Sequence, residues 1–229
     1  MIPSAVPMRF RLHLSPSTSP VPFNHVHRLL GVLHKWLGPS NPEHDAMSLY
    51  SMGWLEGAET RNGALHFPHG ATWTLGFWGY DPTRRLSEGI LSAPELFSGM
   101  CVRTLETIPF PVWKTPHTFR VASPVIARRH RPDHSQEYLL WDDPRADAVL
   151  TTTLRTKLKA AGFAGKHLEA TVAFDRSYRG ARPKLITIHG IHHKGSLCPV
   201  TLAGTPEALA FAWTVGVGEL TGSGFGALQ

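Results

Sequence analysis

The sequence predicts an α+β protein made of two tandem ferredoxin-like (RRM-like, βαββαβ) units that ends in a glycine-rich loop. Three observations lead there. The chain has 229 residues, which leaves room for two units of about 110 residues each. Strand-period and helix-period segments alternate twice along it, with Pro109, Pro111 and Pro116 between the two runs. The last fifteen residues hold five glycines set among apolar anchors. The expected units are 1–112 and 113–229, with the loop over 215–228.

In the first run, Met8–Leu14 alternates apolar and basic residues, the pattern of a strand with one covered face. A Ser/Pro loop over Ser15–Pro22 follows. Phe23–Leu37 reads as an amphipathic helix, with Val26, Leu29, Leu30, Leu33 and Leu37 on one stripe and Gly38-Pro39 as its stop. Strands are expected at Met47–Leu55, Gly63–Phe67, Thr72–Gly79 and Met100–Ile108. A helix is expected over Asp81–Phe97, with Asp81 as N-cap and Pro82 as its first residue. In the second run, strands are expected at Phe119–Ala127, Glu137–Trp141, His167–Phe174, Lys184–His193 and Pro199–Ala203. Asp143–Ala161 reads as a helix with Leu150, Leu154 and Leu158 in register, and Pro206–Trp213 as a short one. No repeat is visible at the level of residues, so the duplication is inferred from pattern alone.

Hydrophobic residues make up 42% of the chain, yet no apolar run approaches the length of a spanning helix. No membrane partner is expected. Met1–Pro7 is short, uncharged and broken by prolines, unlike a secretory signal. Cys101 and Cys198 are too few for a disulfide framework, which predicts a reducing cytoplasm. The net charge is +6 and unevenly spread: residues 120–194 hold 14 Lys/Arg against 7 Asp/Glu, so the whole excess lies there. One cluster is Arg128, Arg129 and Arg131 around His130; the other is Arg176, Arg179, Arg182 and Lys184. Arginine outnumbers lysine 16 to 7, which suits bidentate phosphate contact and base stacking. A nucleic acid is the expected partner; a solvated basic face is the bland alternative.

Gly216, Gly218, Gly222, Gly224 and Gly226 permit positive φ and close approach of backbone N–H groups to a phosphate. Leu220 and Phe225 supply anchors that a disordered tail would lack. No helix follows the glycines as a dinucleotide fingerprint requires, and the Lys-Ser/Thr of a nucleotide-binding P-loop is missing. His189, His192, His193 and Cys198 make a poor zinc set, because His192 and His193 would face opposite ways on a strand. Glu43 and Asp45 read as loop solvation rather than a magnesium site. Trp73, Phe77, Trp78 and Tyr80 are mainly expected in the core.

The run Gly216-Val-Gly-Glu-Leu-Thr-Gly-Ser-Gly-Phe-Gly226 resembles the C-terminal signature of the CRISPR repeat-processing endoribonucleases, the "Cas six" family of the RAMP superfamily. MRFRLHL resembles that family's first strand, and Pro22-Phe-Asn-His25 the lead-in to its first helix. Phe119–Ala127 is similar to the strand that opens its second half, and Leu154-Arg-Thr-Lys157 to the helix that follows. The resemblance implies tandem ferredoxin-like folds and metal-independent cleavage of CRISPR repeat RNA, with no cofactor. It also implies retention of the crRNA product and, as further partners, other subunits of a CRISPR effector complex. The second functional class is a non-catalytic crRNA-binding subunit of a CRISPR ribonucleoprotein.

Metal-free RNA cleavage needs the 2′-hydroxyl activated and the 5′-oxygen protonated, which a histidine near neutrality can do. The family's catalytic histidine lies in the first helix or the loop after it, leaving His25, His27, His34 and His44. His25 suits a helix-start role. His27 and His34 share one helical edge. His44, in the post-helix loop, best matches the family, with His34 second. Tyr50, six residues on from His44, is the third candidate, with a strand-end aromatic as the alternative. Lys35 points away from the histidine edge. Arg9, Arg11 and Arg28 remain as arginine alternatives, since some members of the family rely on arginine.

Overall fold

The protein is described by a computed structural model over residues 7–38, 47–188 and 190–229. The first unit runs β1 (Pro7–Leu14), α1 (Val26–Leu37), β2 (Tyr50–Met52), a hairpin of β3 (Glu59–Arg61) and β4 (Ala64–His66), β5 (Ala71–Trp78), α2 (Tyr80–Ser92) and β6 (Val102–Thr107). Its sheet is antiparallel, in the order β2-β5-β1-β6. Once the β3–β4 hairpin is set aside, this is the ferredoxin-like order. The central pairing sets Phe10 opposite Leu75 and Leu12 opposite Trp73. These side chains, with Leu14 and Phe77, are buried in one core with Leu29 and Leu33 of α1 and Leu86 of α2. Each such buried side chain contributes about 1.5–3 kcal/mol.

The second unit runs β7 (His117–Phe119), β8 (Ala127–His130), β9 (Gln136–Leu139), α3 (Arg145–Ala160), β10 (Thr171–Phe174), β11 (Arg182–Ile188), β12 (Ile191–Leu197), β13 (Val200–Ala203) and α4 (Pro206–Val215). Its sheet has the order β10-β13-β7. The fourth place is taken by the end of the chain. Leu228 bridges Val121, the Ala122 N–H donates to the Ala227 carbonyl at 2.7 Å, and the Gln229 N–H donates to the Arg120 carbonyl at 2.8 Å. The order is again ferredoxin-like, with hairpins β8–β9 and β11–β12 inserted. Leu150, Leu154 and Leu158 of α3 are buried in a second core with Val172, Phe174, Val200, Leu202 and Phe211.

Several boundaries differ from those expected, each for a local reason. Lys184–His193 is a hairpin, not one strand: β11 and β12 pair with Ile188 opposite Ile191. The expected N-cap, Asp81, lies inside α2. The cap is Gly79, and the Asp81 carboxylate instead accepts from Arg84 at 2.8 Å and Arg85 at 2.9 Å. That helix ends at Ser92, because Pro94 disfavours helical geometry at the residue before it. In place of the first half of the expected strand at His167–Phe174 there is a short 3₁₀ turn over Gly165–Glu169. The long strand expected over Phe119–Ala127 is interrupted. Ser123 and Pro124 turn aside there, the Ser123 hydroxyl accepting from the Ala227 N–H at 3.0 Å and the Pro124 carbonyl from the Gly226 N–H at 2.8 Å.

The largest correction concerns β1, whose second face is covered in part, at Arg9. Helix α4 lies across β1, β2 and β5 on the face away from α1 and α2. There is no room for a Cβ on Gly76, which sits directly against the Thr214 backbone. The Ser51 hydroxyl donates to the Thr214 carbonyl at 2.7 Å. Trp78 packs between Phe163 and Phe211, with ring centroids at 5.2 and 5.0 Å. Arg9 is buried here, bonded to the carbonyls of Trp213 and Leu228, with its guanidinium 4.1 Å from the centre of the Trp213 ring. Burial lowers its pKa to about 9, so it remains charged at neutrality. Arg9 therefore ties the two units together.

Candidate nucleic-acid interface

The glycine-rich loop is the place where elements of both units meet. It starts at Gly216, the C-cap of α4, and includes a 3₁₀ turn over Thr221–Ser223. The loop folds back on itself: the Val217 N–H donates to the Gly226 carbonyl at 2.9 Å. Gly226 has φ of 63°, and a Cβ there would overlap the Val217 carbonyl. Gly222 lies against the first unit, where a Cβ would come within 2.6 Å of Ser48 Oγ and 2.7 Å of Tyr50 Oη. Gly224 lies against Val26 and Met52, and its carbonyl accepts from Trp54 Nε1 at 2.9 Å. The loop is mostly buried, and Glu219, Leu220 and Ser223 are its more accessible residues. Its glycines thus have packing reasons, and several of its amides are already bonded within the protein.

The predicted catalytic residues are positioned as follows. His44 lies in 39–46, outside the described residues. Tyr50 begins β2, with its ring buried and stacked on Phe77 at 5.6 Å and its hydroxyl end against Gly222. His34 is half-buried in the last turn of α1. The α2 side of α1 is marked by Trp36, whose Nε1 donates to the Ala93 carbonyl at 2.7 Å, and by Lys35, whose Nζ donates to the Glu95 carbonyl at 2.6 Å. The loop side is marked by Val26 against Gly224. Helical phase puts His27 and His34 on the loop side, beyond Leu30. Lys35 is directed away from that edge. His25 is buried at the N-cap, its Nδ1 3.0 Å from the Pro22 carbonyl, and burial lowers its pKa.

The basic residues separate into two groups. Arg128 joins the loop: it pairs with Glu219 and donates to Gln136 Oε1 at 2.7 Å. On the same hairpin, Arg129 and Arg131 are exposed and approach Glu137 at 2.7 and 3.6 Å, and Arg145 approaches it at 3.0 Å. Hydrogen bonds from Arg129 and Arg145 hold the Glu137 carboxyl below the usual carboxylate range. The second group flanks β10. Arg176 is tied to Asp147 at 2.6 Å and to the Asp143 carbonyl at 3.0 Å. Arg179 and Lys184 are exposed. Arg182 lines a cavity of about 550 Å³ together with Arg120, Tyr178 and Gln229.

Two residues next to the loop were not expected to matter. His193 on β12 is buried, with its ring 5.6 Å from Phe225 and its Nδ1 3.3 Å from the Tyr138 hydroxyl. Burial, with Arg128 and His192 nearby, lowers its pKa. Lys157 of α3 is buried, and its Nζ donates to Thr221 Oγ1 at 2.8 Å. Its signal was present in the sequence: Lys157 lies three residues after Leu154 and seven after Leu150, on the apolar stripe. Among the described residues, no three His, Cys, Asp or Glu side chains are grouped so that they could hold a metal ion. None of the described helices is long and apolar enough to cross a membrane.

The geometry defines a protein of two ferredoxin-like units joined through a C-terminal glycine-rich loop. A family profile described as "CRISPR associated protein Cas6, C-terminal" matches residues 108–229, more than half of the chain. The chain belongs to the Cas6 family of CRISPR-associated proteins. A solved structure titled as a CRISPR associated protein Cas6 aligns with a TM-score of 0.80 at 19% identity, covering 98% of this chain and 99% of that one. A Cas6-related protein from Pyrococcus furiosus aligns at 0.83 and 17%, covering 98% of each chain. A Cas6 product complex from Thermus thermophilus aligns at 0.69 and 18%, covering 97% and 99%. At such identities the likeness is one of fold. No curated protein sequence matches the chain.

Proposed function

We propose that this protein binds CRISPR repeat RNA and cleaves the precursor transcript as a metal-independent endoribonuclease. The observation that carries this reading is the seating of the glycine-rich loop. Gly222 lies against Tyr50, Gly224 against α1, and Glu219 against Arg128 of the basic hairpin. RNA held by the second unit's loop and arginines would thereby lie beside the first unit's α1 and β2. Relatives of this fold solved as product and substrate-mimic complexes support the same reading.

In the proposed reaction the 2′-oxygen attacks the adjacent phosphorus while a general base takes its proton. The bond from phosphorus to the 5′-oxygen then breaks as a general acid protonates that oxygen. The products are a 2′,3′-cyclic phosphate and a 5′-hydroxyl. His44 and His34 are the proposed base and acid, and Tyr50 is proposed to orient the phosphate from the floor of the site. Arg128, Arg129, Arg131, Arg176, Arg179, Arg182 and Lys184 are the proposed RNA contacts. On this division of labour, 1–112 supplies the chemistry and 113–229 the grip.

The test is cleavage of the host locus's repeat RNA in excess EDTA by wild type, His34→Ala and His44→Ala. Wild type is expected to cut, and one or both variants to lose at least 10²-fold in rate. A 2′-deoxy nucleotide at the scissile position is expected to abolish cutting and leave binding intact; residual cleavage there rules out the mechanism. Tight binding with the repeat left whole would assign the non-catalytic crRNA-binding role instead.

A further inference from the structure

Beneath the glycine-rich loop lies a buried amine that no part of the proposed chemistry uses. Lys157 reaches from the buried stripe of α3 and is 4% exposed. Its Nζ donates to Thr221 Oγ1 at 2.8 Å, and Thr221 is itself fully buried. The Thr221 methyl fills the space between Gly216 and Gly226, where a Cβ on either glycine would crowd Cγ2. From Thr221 the chain makes the 3₁₀ turn that sets Gly222 against Ser48 and Tyr50. One hydrogen bond therefore links α3 of the second unit to the turn that meets β2 of the first.

Among the described residues Lys157 is in no salt bridge, because the nearby carboxylate of Glu219 is taken by Arg128. A buried ammonium without a paired carboxylate is costly, and an ordinary core would hold leucine at this phase. Burial lowers its pKa to about 7, with Glu219 opposing the shift. A site that keeps such a group at a cost to stability points to a role other than packing.

On the reading that the loop grips RNA, we propose that Lys157 is a positioning residue: donating to Thr221, it fixes the Thr221–Ser223 turn beneath the surface that a bound phosphate would face. It touches no RNA itself. This separates it from the exposed arginines, each of which would release counterions when it met a phosphate.

The experiment measures affinity for repeat RNA carrying a 2′-deoxy scissile nucleotide, across a range of salt, for wild type, Lys157→Met, Thr221→Val and the double variant. Lys157→Met is expected to lower affinity by tenfold or more without lowering Tm. The slope of log K against log salt is expected to stay unchanged, and the double variant to be no weaker than the weaker single one. Amide hydrogen exchange of the RNA-free protein supplies a readout independent of RNA: exchange at 221–225 should accelerate in Lys157→Met while β1 and β5 stay as in wild type. Wild-type affinity retained by Lys157→Met, a slope reduced by about 0.7–0.9, additive losses, or unchanged loop exchange each overturn the proposal. A wild type that binds no repeat RNA instead overturns the function proposed above, and the exchange measurement still decides whether Lys157 holds the loop.

Discussion

Arg9 and Lys157 are enclosed by the protein, whereas Arg129, Arg131 and Arg145 gather around Glu137 at its surface. The enclosed pair is bonded to carbonyl and hydroxyl oxygens. The surface trio is held by a carboxylate. On the proposed reading, an RNA phosphate would take the place of Glu137 without unmaking the fold, since exposed ion pairs contribute only about 0–1 kcal/mol. Nothing can replace the Trp213 and Leu228 carbonyls without separating the two units. A count of positive charge therefore overstates what a polyanion can reach: Lys157 belongs to the basic segment yet never meets solvent.

The sharpest way to break this contrast is Arg9→Met. The substitution leaves two buried carbonyls without their donor, and a loss of about 3–5 kcal/mol is expected in urea unfolding. A loss under about 1 kcal/mol would show that the units hold together without Arg9. Next comes Gly226→Ala, which forces an L side chain into a positive φ against the Val217 carbonyl. About 2–3 kcal/mol of destabilisation is expected, read by the same method.

A third measurement follows stability with pH for wild type and Lys157→Met together. The Lys157 pKa is about 7 in the folded protein and 10.5 for the unperturbed side chain. Between these values the unfolded chain binds a proton that the folded chain does not. Wild-type stability, relative to Lys157→Met, should therefore rise with pH from 7 toward 10, by about 1 kcal/mol per pH unit. Parallel curves for the two proteins would mean that Lys157 has a near-ordinary pKa. The smallest change in stability, within about 0.5 kcal/mol, is expected for Arg129→Ala with Arg131→Ala. That double variant should nonetheless lower the salt slope of RNA binding by about 1.4–1.8. An unchanged slope would place the RNA elsewhere, on the Arg179 and Arg182 side.

Most of the architecture was legible because burial leaves a periodic trace. The Leu29 and Leu33 stripe gave α1, Leu150 and Leu154 gave α3, and the alternation in Met8–Leu14 gave β1. Where the deciding partner is distant in sequence, the trace is silent. The second face of β1 looks solvent-exposed because Arg9, Arg11 and His13 are polar, and only α4, some 200 residues later, shows that Arg9 is enclosed. Gly79 carries no side chain to announce a cap, so Asp81 took that role by default. The glycine loop was legible in identity but not in orientation. Five glycines suggest an open backbone, whereas at Gly222 and Gly226 the missing Cβ makes room for Tyr50, Ser48 and the Val217 carbonyl. Lys157 could have been found as a charge out of phase with its helix, but phase alone does not reveal the hydroxyl it reaches.

The packing of α4 across β1, β2 and β5 also constrains how the chain is made. The first sheet is synthesised early, and the helix that covers part of its second face emerges about a hundred residues later. At roughly 5–20 residues per second, that face waits on the order of ten seconds on the ribosome. Trp78, Gly76 and the Arg9 guanidinium lack their native neighbours throughout. The nascent first half thus presents the Trp78 ring uncovered until Phe163 and Phe211 reach it. The packing of β1 is thus completed only when α4 is in place.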